Sequence, residues 1–193
     1  MAGILFVCTG NASRSVMAEA MLRMLAPGWE VASTGTHSID GQPMSWRTRE
    51  GLHRLGYTAD DHRSRQARDG DLASADLIAV FEAFQLAWVR REHPAAAPRT
   101  GALRHLATTL PAPARPGQLP AGGDGGLAGR VASLHLEGTP FSPLDEVADP
   151  GGQEVDAYLA CAVEVHELVM ALAERLGPAP DAPFSAGFQV VPS

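Results

Sequence analysis

Ile4-Leu5-Phe6-Val7-Cys8-Thr9-Gly10-Asn11-Ala12-Ser13-Arg14-Ser15-Val16-Met17-Ala18-Glu19-Ala20-Met21-Leu22-Arg23-Met24-Leu25 is the stretch from which the fold is read. Residues 4–7 are an unbroken apolar run of strand length, and residues 14–25 read as a helix. A cysteine therefore stands where a strand ends, and an arginine and a serine where a helix begins. Such a junction suits an oxyanion, because N–H groups of the turn and of the helix N-terminus converge on one point. The Cys8 thiolate would face that point and be stabilised by the same positive field. A cation such as Arg14 in a first helical turn is electrostatically unfavourable unless an anion joins it. Its planar guanidinium can grip two phosphoryl oxygens at once. Gly10 is expected to turn the loop at positive φ without a Cβ penalty. Asn11 and Ser15 in themselves read as turn former and helix cap.

Outward from this junction the chain alternates strands with helices. Pro27-Gly28 breaks the first helix, and 29–33 read as a second strand followed by the loop Thr34-Gly35-Thr36-His37. Residues 45–55 read as a helix with Gly56 at its C-cap. A polar loop at 60–66 and a short helix or turn at 69–75 follow. Residues 76–81 form another unbroken apolar strand, as expected for a sheet buried on both faces. Residues 83–91 read as a helix ended by His93-Pro94, and 100–103 as a short fourth strand. This alternation predicts right-handed βαβ units in a doubly wound sheet, with ligands beyond the carboxyl ends of the strands, where Cys8 stands.

Residues 108–145 change character. Their prolines and glycines predict a mobile insertion loop, with room for a short helix within 127–136. Residues 154–176 are the strongest helix: Tyr158, Ala162, Val165, Val169, Leu172 and Leu176 form one apolar stripe, and Gly177-Pro178 stops it. The expected organisation is a single domain over 1–177 carrying the insertion, then a tail over 178–193 with a short edge strand at 188–191.

Phosphate-ester cleavage needs a proton for the leaving oxygen and then a base for water. Asp145, Glu146, Asp149 and Asp156, all shortly before or at the start of the long helix, are carboxylates that could do both, although Asp149-Pro150 by itself reads as a turn. On Cys8, Gly10, Asn11, Arg14 and Ser15, together with Asp149-Pro150, the chain resembles the low-molecular-weight protein tyrosine phosphatases. The likeness extends over most of 3–107 and 145–176. The resemblance implies a flavodoxin-like three-layer α/β fold whose four-stranded parallel sheet has the order 2-1-3-4. It implies a phosphate-binding loop over Thr9, Gly10, Asn11, Ala12, Ser13, Arg14 and Ser15. Cys8 would be the nucleophile, Arg14 the phosphate ligand and Asp149 the general acid and base. Asn11, Ser15, Ser33 and His62 would support the loop, with Ser15 bonded to the Cys8 sulfur.

Three departures from the family bear on regulation and specificity. Ser13 stands where members usually carry a second, protective cysteine. Ala12 replaces a larger residue that helps to choose between phosphotyrosine and phosphoarginine. Gly151-Gly152-Gln153 stand where aromatics often flank a phosphotyrosine ring.

Composition narrows the class. The chain has 193 residues, is 45% hydrophobic and carries a net charge of −7, which argues against a broad nucleic-acid surface. Its two cysteines, Cys8 and Cys161, fit a reduced cytosol rather than a disulfide scaffold. No signal peptide and no apolar run approaching the ~20 residues of a membrane span is evident, so a cytoplasmic location is expected. The histidines lack metal-ligand spacing, and neither metal nor cofactor is expected. The leading reading is a phosphomonoesterase acting on phosphotyrosine in proteins, with phosphoarginine or a small phosphate ester as other substrates, working as a monomer or weak dimer. An arsenate reductase using a small cellular thiol shares the scaffold and needs only Cys8; Thr9-Gly10-Asn11 and Met17-Ala18-Glu19 are reminiscent of it. A phosphate-binding regulatory module with little turnover is the third reading, though a pure binder has no need of a general acid.

Overall fold

A computed structural model describes residues 3–114 and 126–179. Strand β1 (Gly3–Cys8) leads into helix α1 (Arg14–Leu25), and β2 (Glu30–Gly35) is followed by α2 (Trp46–Arg54) and the short α3 (Asp69–Ser74). Next come β3 (Leu77–Val80), α4 (Ala83–Glu92), a 3-10 turn over Pro94–Arg99, β4 (Thr100–Ala102) and α5 (Leu103–Thr109). Helix α6 (Leu127–Ala132), two 3-10 turns at Leu136–Gly138 and Pro143–Asp145, and α7 (Val155–Leu176) are the remaining elements among the described residues. The expected edge strand at 188–191 lies outside the described residues.

The four strands form one parallel sheet in the order β2-β1-β3-β4. Alternation along β1 splits the interior into two layers. Ile4, Phe6 and Cys8 face a cluster that includes Val16, Met17 and Met21 of α1, Leu103 and Leu106 of α5, and Ala162, Val165 and Val169 of α7. Leu5 and Val7 face Leu72 of α3 and Leu86, Trp88 and Val89 of α4. The sheet is thus covered on both sides, which is why β1 and β3 read as continuous apolar runs. All six residues of the α7 stripe are buried.

Local signals set the element ends. The Ser45 hydroxyl accepts from Thr48 N and starts α2. Gly56 and Gly177 stop α2 and α7 with φ of +81° and +69°, a backbone region that favours glycine.

The described parts of the segment expected to be a mobile loop, 108–114 and 126–145, are anchored to the core at a few points. Leu110, Leu127, Val131 and Leu136 are all under 5% exposed and join the larger cluster. Arg130 of α6 ties the segment to α7, donating to the carbonyls of Pro111, Arg175 and Leu176 at 2.8, 2.7 and 3.2 Å. The short helix expected within 127–136 is α6, and the spacing of Leu127 and Val131 buries one side of it. Among the described residues no helix is long and apolar enough to cross a membrane.

Candidate active site

The carboxyl end of β1 meets the N-terminus of α1, and the intervening loop folds around the Cys8 sulfur. Asn11 N donates to Cys8 Sγ at 3.2 Å, and Ser15 Oγ lies 3.0 Å from the same sulfur. The residue at positive φ is Asn11, at +49°, and not Gly10 as expected. Asn tolerates the left-handed region because its short amide can bond locally. Here every polar group of Asn11 is occupied, and the residue is fully buried. Its Nδ2 donates to Ser15 Oγ at 3.0 Å and to Ser33 Oγ at 2.8 Å. Its Oδ1 accepts from Arg65 N at 2.9 Å, and its carbonyl lies 2.8 Å from His62 Nε2. A carbonyl can only accept, so that contact requires the proton on Nε2 of His62. Asn11, Ser15, Ser33 and His62, picked from the sequence as a supporting set, thus come together around the loop.

The chain of donors has a direction. Ser33 Oγ donates to Glu19 Oε2 at 2.5 Å while accepting from Asn11. Ser15 Oγ also accepts from Asn11, which leaves its own hydrogen for the sulfur. The network therefore presents an N–H and an O–H to Cys8 Sγ. Glu19 closes the series from α1 and pairs with Arg23 at 2.7 Å.

Two further contacts shape the loop from outside. Thr48 Oγ1, on the first turn of α2, donates to Ala12 O at 2.8 Å and lies 3.3 Å from Ser13 Oγ. Beyond β2, Thr36 N and His37 N bond the carbonyls of Cys8 and Thr9, each at 2.9 Å. This brings the β2 backbone so close that a Cβ on Gly35 would fall 2.5 Å from Thr9 O and 2.9 Å from Asn11 N.

Arg14 is 1% exposed and is held by carboxylates. Nη1 lies 3.0 Å from Glu82 Oε1 and donates to Val147 O at 2.9 Å. Nη2 meets Glu82 Oε2 at 3.2 Å and Asp149 Oδ2 at 2.8 Å. Burial alone would lower the guanidinium pKa, but the hydrogen bond to Glu82 and the charges of Asp149, Cys8 and Glu82 outweigh it and raise it. Arg14 is therefore a fixed cation at any accessible pH.

Asp149 stands at the site despite its glycine-rich surroundings. Gly151 N bonds its Oδ1 at 2.9 Å, and Gln153 Nε2 bonds its carbonyl at 2.9 Å. Asp145, Glu146 and Asp156, weighed as alternatives, make no contact with Arg14.

The sequence reading missed Glu82. It follows β3, forks Arg14, and accepts from Thr9 Oγ1 at 3.4 Å and from Gln85 Nε2 at 2.7 Å. Gln85 is fully buried and joins the group by donating to Thr9 Oγ1 at 3.2 Å. A carboxylate at the end of a strand in a doubly wound sheet is the signal that could have found Glu82. Cys161 is buried on the α7 stripe, and burial pushes its thiol up to about 12. A recess of about 460 Å³ lined by Gly3, Trp29, Glu30 and Ser74 opens at the amino ends of β1 and β2, the opposite end from Cys8.

Comparison with known proteins bears directly on this geometry. Residues 3–110 match the family model for low molecular weight phosphotyrosine protein phosphatase. A probable low molecular weight protein-tyrosine-phosphatase, EpsP of Ralstonia nicotianae, is 36% identical over 103 residues, covering 53% of this chain and 69% of that protein. A protein-arginine-phosphatase of Geobacillus stearothermophilus is 29% identical over 174 residues, covering 90% of this chain and 95% of that protein. The solved structure of the YwlE arginine phosphatase from Geobacillus stearothermophilus superposes with a TM-score of 0.70 at 27% identity, over 91% of this chain and 93% of that one.

Proposed function

The chain belongs to the low molecular weight phosphotyrosine protein phosphatase family, and on that premise we propose that it dephosphorylates phosphotyrosine in proteins through a phospho-cysteine on Cys8. It is a phosphoric monoester hydrolase. The observation that carries the assignment of residues is a sulfur that accepts from Asn11 N and neighbours the Ser15 hydroxyl, in one loop with a buried arginine paired to Asp149.

The phosphoryl group enters with its oxygens on Arg14 and the loop amides, displacing the Asp149 carboxylate from the guanidinium. Cys8 Sγ attacks phosphorus in line, and the bond to the ester oxygen breaks. Asp149 in its protonated form gives that oxygen its proton, so the alcohol departs neutral. The Asp149 carboxylate then takes a proton from water, whose oxygen attacks the phospho-cysteine. Cys8 leaves as a thiolate stabilised by Ser15 Oγ–H and Asn11 N–H, and inorganic phosphate is released. The arginine and amides bind the trigonal-bipyramidal transition state more tightly than the ester, which is where the rate comes from.

Hydrolysis of para-nitrophenyl phosphate by wild type and Cys8→Ser tests the mechanism. Wild type should turn over and Cys8→Ser should not; wild-type turnover in Cys8→Ser would sink it. A second substrate class is favoured by one observation: the arginine phosphatase relative matches over 90% of this chain. Phosphotyrosyl and phosphoarginyl forms of one peptide, compared by kcat/KM, decide between them.

A further inference from the structure

Phe84 has no part in the core. Among the described phenylalanines, Phe6 and Phe81 are fully buried and Phe141 packs against the second apolar cluster, whereas Phe84 is 49% exposed and joins neither. Its ring instead meets that of His37, with centroids 5.5 Å apart and planes at 34°. The two residues come from opposite sides of the Cys8 loop. His37 lies two residues beyond the end of β2 and donates its N–H to Thr9 O. Phe84 lies two residues beyond Glu82, whose carboxylate holds Arg14 and accepts from Thr9 Oγ1. Strands β2 and β3 flank β1, so the ring pair bridges their carboxyl ends across the end of β1, beside Thr9 and the exposed Gly10.

We propose that the His37–Phe84 pair is the wall that receives the organic group of the phosphate ester, and that it selects flat aryl esters over alkyl ones. A ring attached to the ester oxygen can stack on an aromatic face or meet it edge-on, which an alkyl chain cannot match. His37 touches the phosphate loop only through its backbone N–H on Thr9 O, which a side-chain substitution leaves in place, so the contribution of the two rings is separable from phosphate binding. The proposal rests on the reading of the Cys8 loop as the phosphate site.

The test uses the full chain with para-nitrophenyl phosphate as substrate and phenylphosphonate, butylphosphonate and inorganic phosphate as competitive inhibitors. Phe84→Ala should weaken phenylphosphonate by about 3- to 20-fold and raise the substrate KM in parallel, with inorganic phosphate affected less than twofold. The preference for phenylphosphonate over butylphosphonate should collapse. Phe84→Leu, which keeps bulk without a ring, should recover little of it, and His37→Ala should lose part of it. An unchanged phenylphosphonate constant in Phe84→Ala overturns the proposal. So does an equal weakening of phenylphosphonate and inorganic phosphate, which would mark a structural role for the ring. If the wild type did not hydrolyse para-nitrophenyl phosphate, the phosphatase reading would fail instead. Calorimetric titration of phenylphosphonate into wild type and Phe84→Ala would still decide the wall.

Discussion

Asp149 Oδ2 lies 2.8 Å from Arg14 Nη2, so in the free protein the proposed proton donor holds the guanidinium that the phosphoryl group must take. The two roles of this carboxylate oppose each other. Removing it should slow chemistry and relieve competition for Arg14. For Asp149→Ala the expected loss in kcat is about 10²–10⁴-fold. Inorganic phosphate should bind more tightly, by about 2- to 5-fold, because a half-exposed ion pair is worth no more than about 1 kcal/mol. Steady-state kinetics with phosphate as competitive inhibitor reads both effects. Weaker phosphate binding in the variant would contradict the competition.

Glu82 is the second carboxylate on Arg14, and it forks the guanidinium through both oxygens. It fixes the plane of the arginine and holds Thr9 and Gln85 as well. Misplacing a catalytic group by a fraction of an ångström is costly, so Glu82→Ala should lower kcat/KM by about 10- to 100-fold. Glu82→Gln should recover only part of this. Its amide nitrogen would face donors from Arg14, Thr9 or Gln85 wherever it pointed. Full recovery by glutamine would mean that shape alone matters and that the charge does nothing.

Gly35 has a different claim, since it is space that it supplies. An ideal Cβ would stand 2.0 Å from Ser38 Oγ, 2.5 Å from Thr9 O and 2.9 Å from Asn11 N. The serine can rotate away, but the two backbone atoms belong to the loop that cradles Cys8. Gly35→Ala should therefore weaken inorganic phosphate and abolish most turnover while destabilising the fold by about 1–3 kcal/mol. Thermal melting and phosphate inhibition, measured together, separate local distortion from global loss. Wild-type phosphate affinity would show the loop to be more compliant than the spacing allows.

What the sequence could reveal followed from contiguity. Cys8 to Ser15 is one unbroken stretch between an apolar run and a helix, so the anion site and the strand whose carboxyl end carries it were legible together. Strand β4 was harder, because three residues leave no period to read. Glu82 escaped because it meets Arg14 across 68 positions of chain, and nothing local distinguishes it from a solvated glutamate. The left-handed residue was assigned to Gly10 on intrinsic preference. Tertiary bonds from Arg65, His62 and Ser33 made Asn11 the better holder of that conformation. The short helix within 127–136 was legible but its burial was not: composition reports chain flexibility, whereas the spaced side chains of Leu127, Val131 and Leu136 decide burial.

The two thiols should react very differently. Burial pushes Cys161 up to about 12, so at pH 8 only about one molecule in 10⁴ carries its thiolate. Cys8 Sγ instead accepts from Asn11 N–H and lies beside the Ser15 hydroxyl in the proposed phosphate loop. Iodoacetamide at pH 8 should therefore modify Cys8 alone, inactivate the enzyme, and be slowed by inorganic phosphate. Peptide mass mapping reads the site. Ser13 leaves no neighbouring thiol in the loop, so peroxide inactivation should proceed without a disulfide inside residues 8–15.

Arg130 anchors the segment that the sequence made look loose. Arg130 is 9% exposed, and its guanidinium donates to Pro111 O, Arg175 O and Leu176 O. Two of these carbonyls end α7, where the helix leaves acceptors unpaired and the dipole favours a cation. Burial lowers the guanidinium pKa, yet an arginine stays protonated throughout the physiological range, so the contact does not titrate. Arg130→Met keeps much of the apolar stem but strands three acceptors, and should cost about 2–4 kcal/mol of stability. Arg130→Lys can satisfy fewer of them and should fall between. The catalytic loop shares no contact with Arg130, so kcat per folded molecule should hold near wild type below the melting transition. Urea denaturation with activity measured at low urea checks both parts. A variant with unchanged midpoint would mean that α6 and the end of α7 are held by the Leu127, Val131 and Leu176 packing alone.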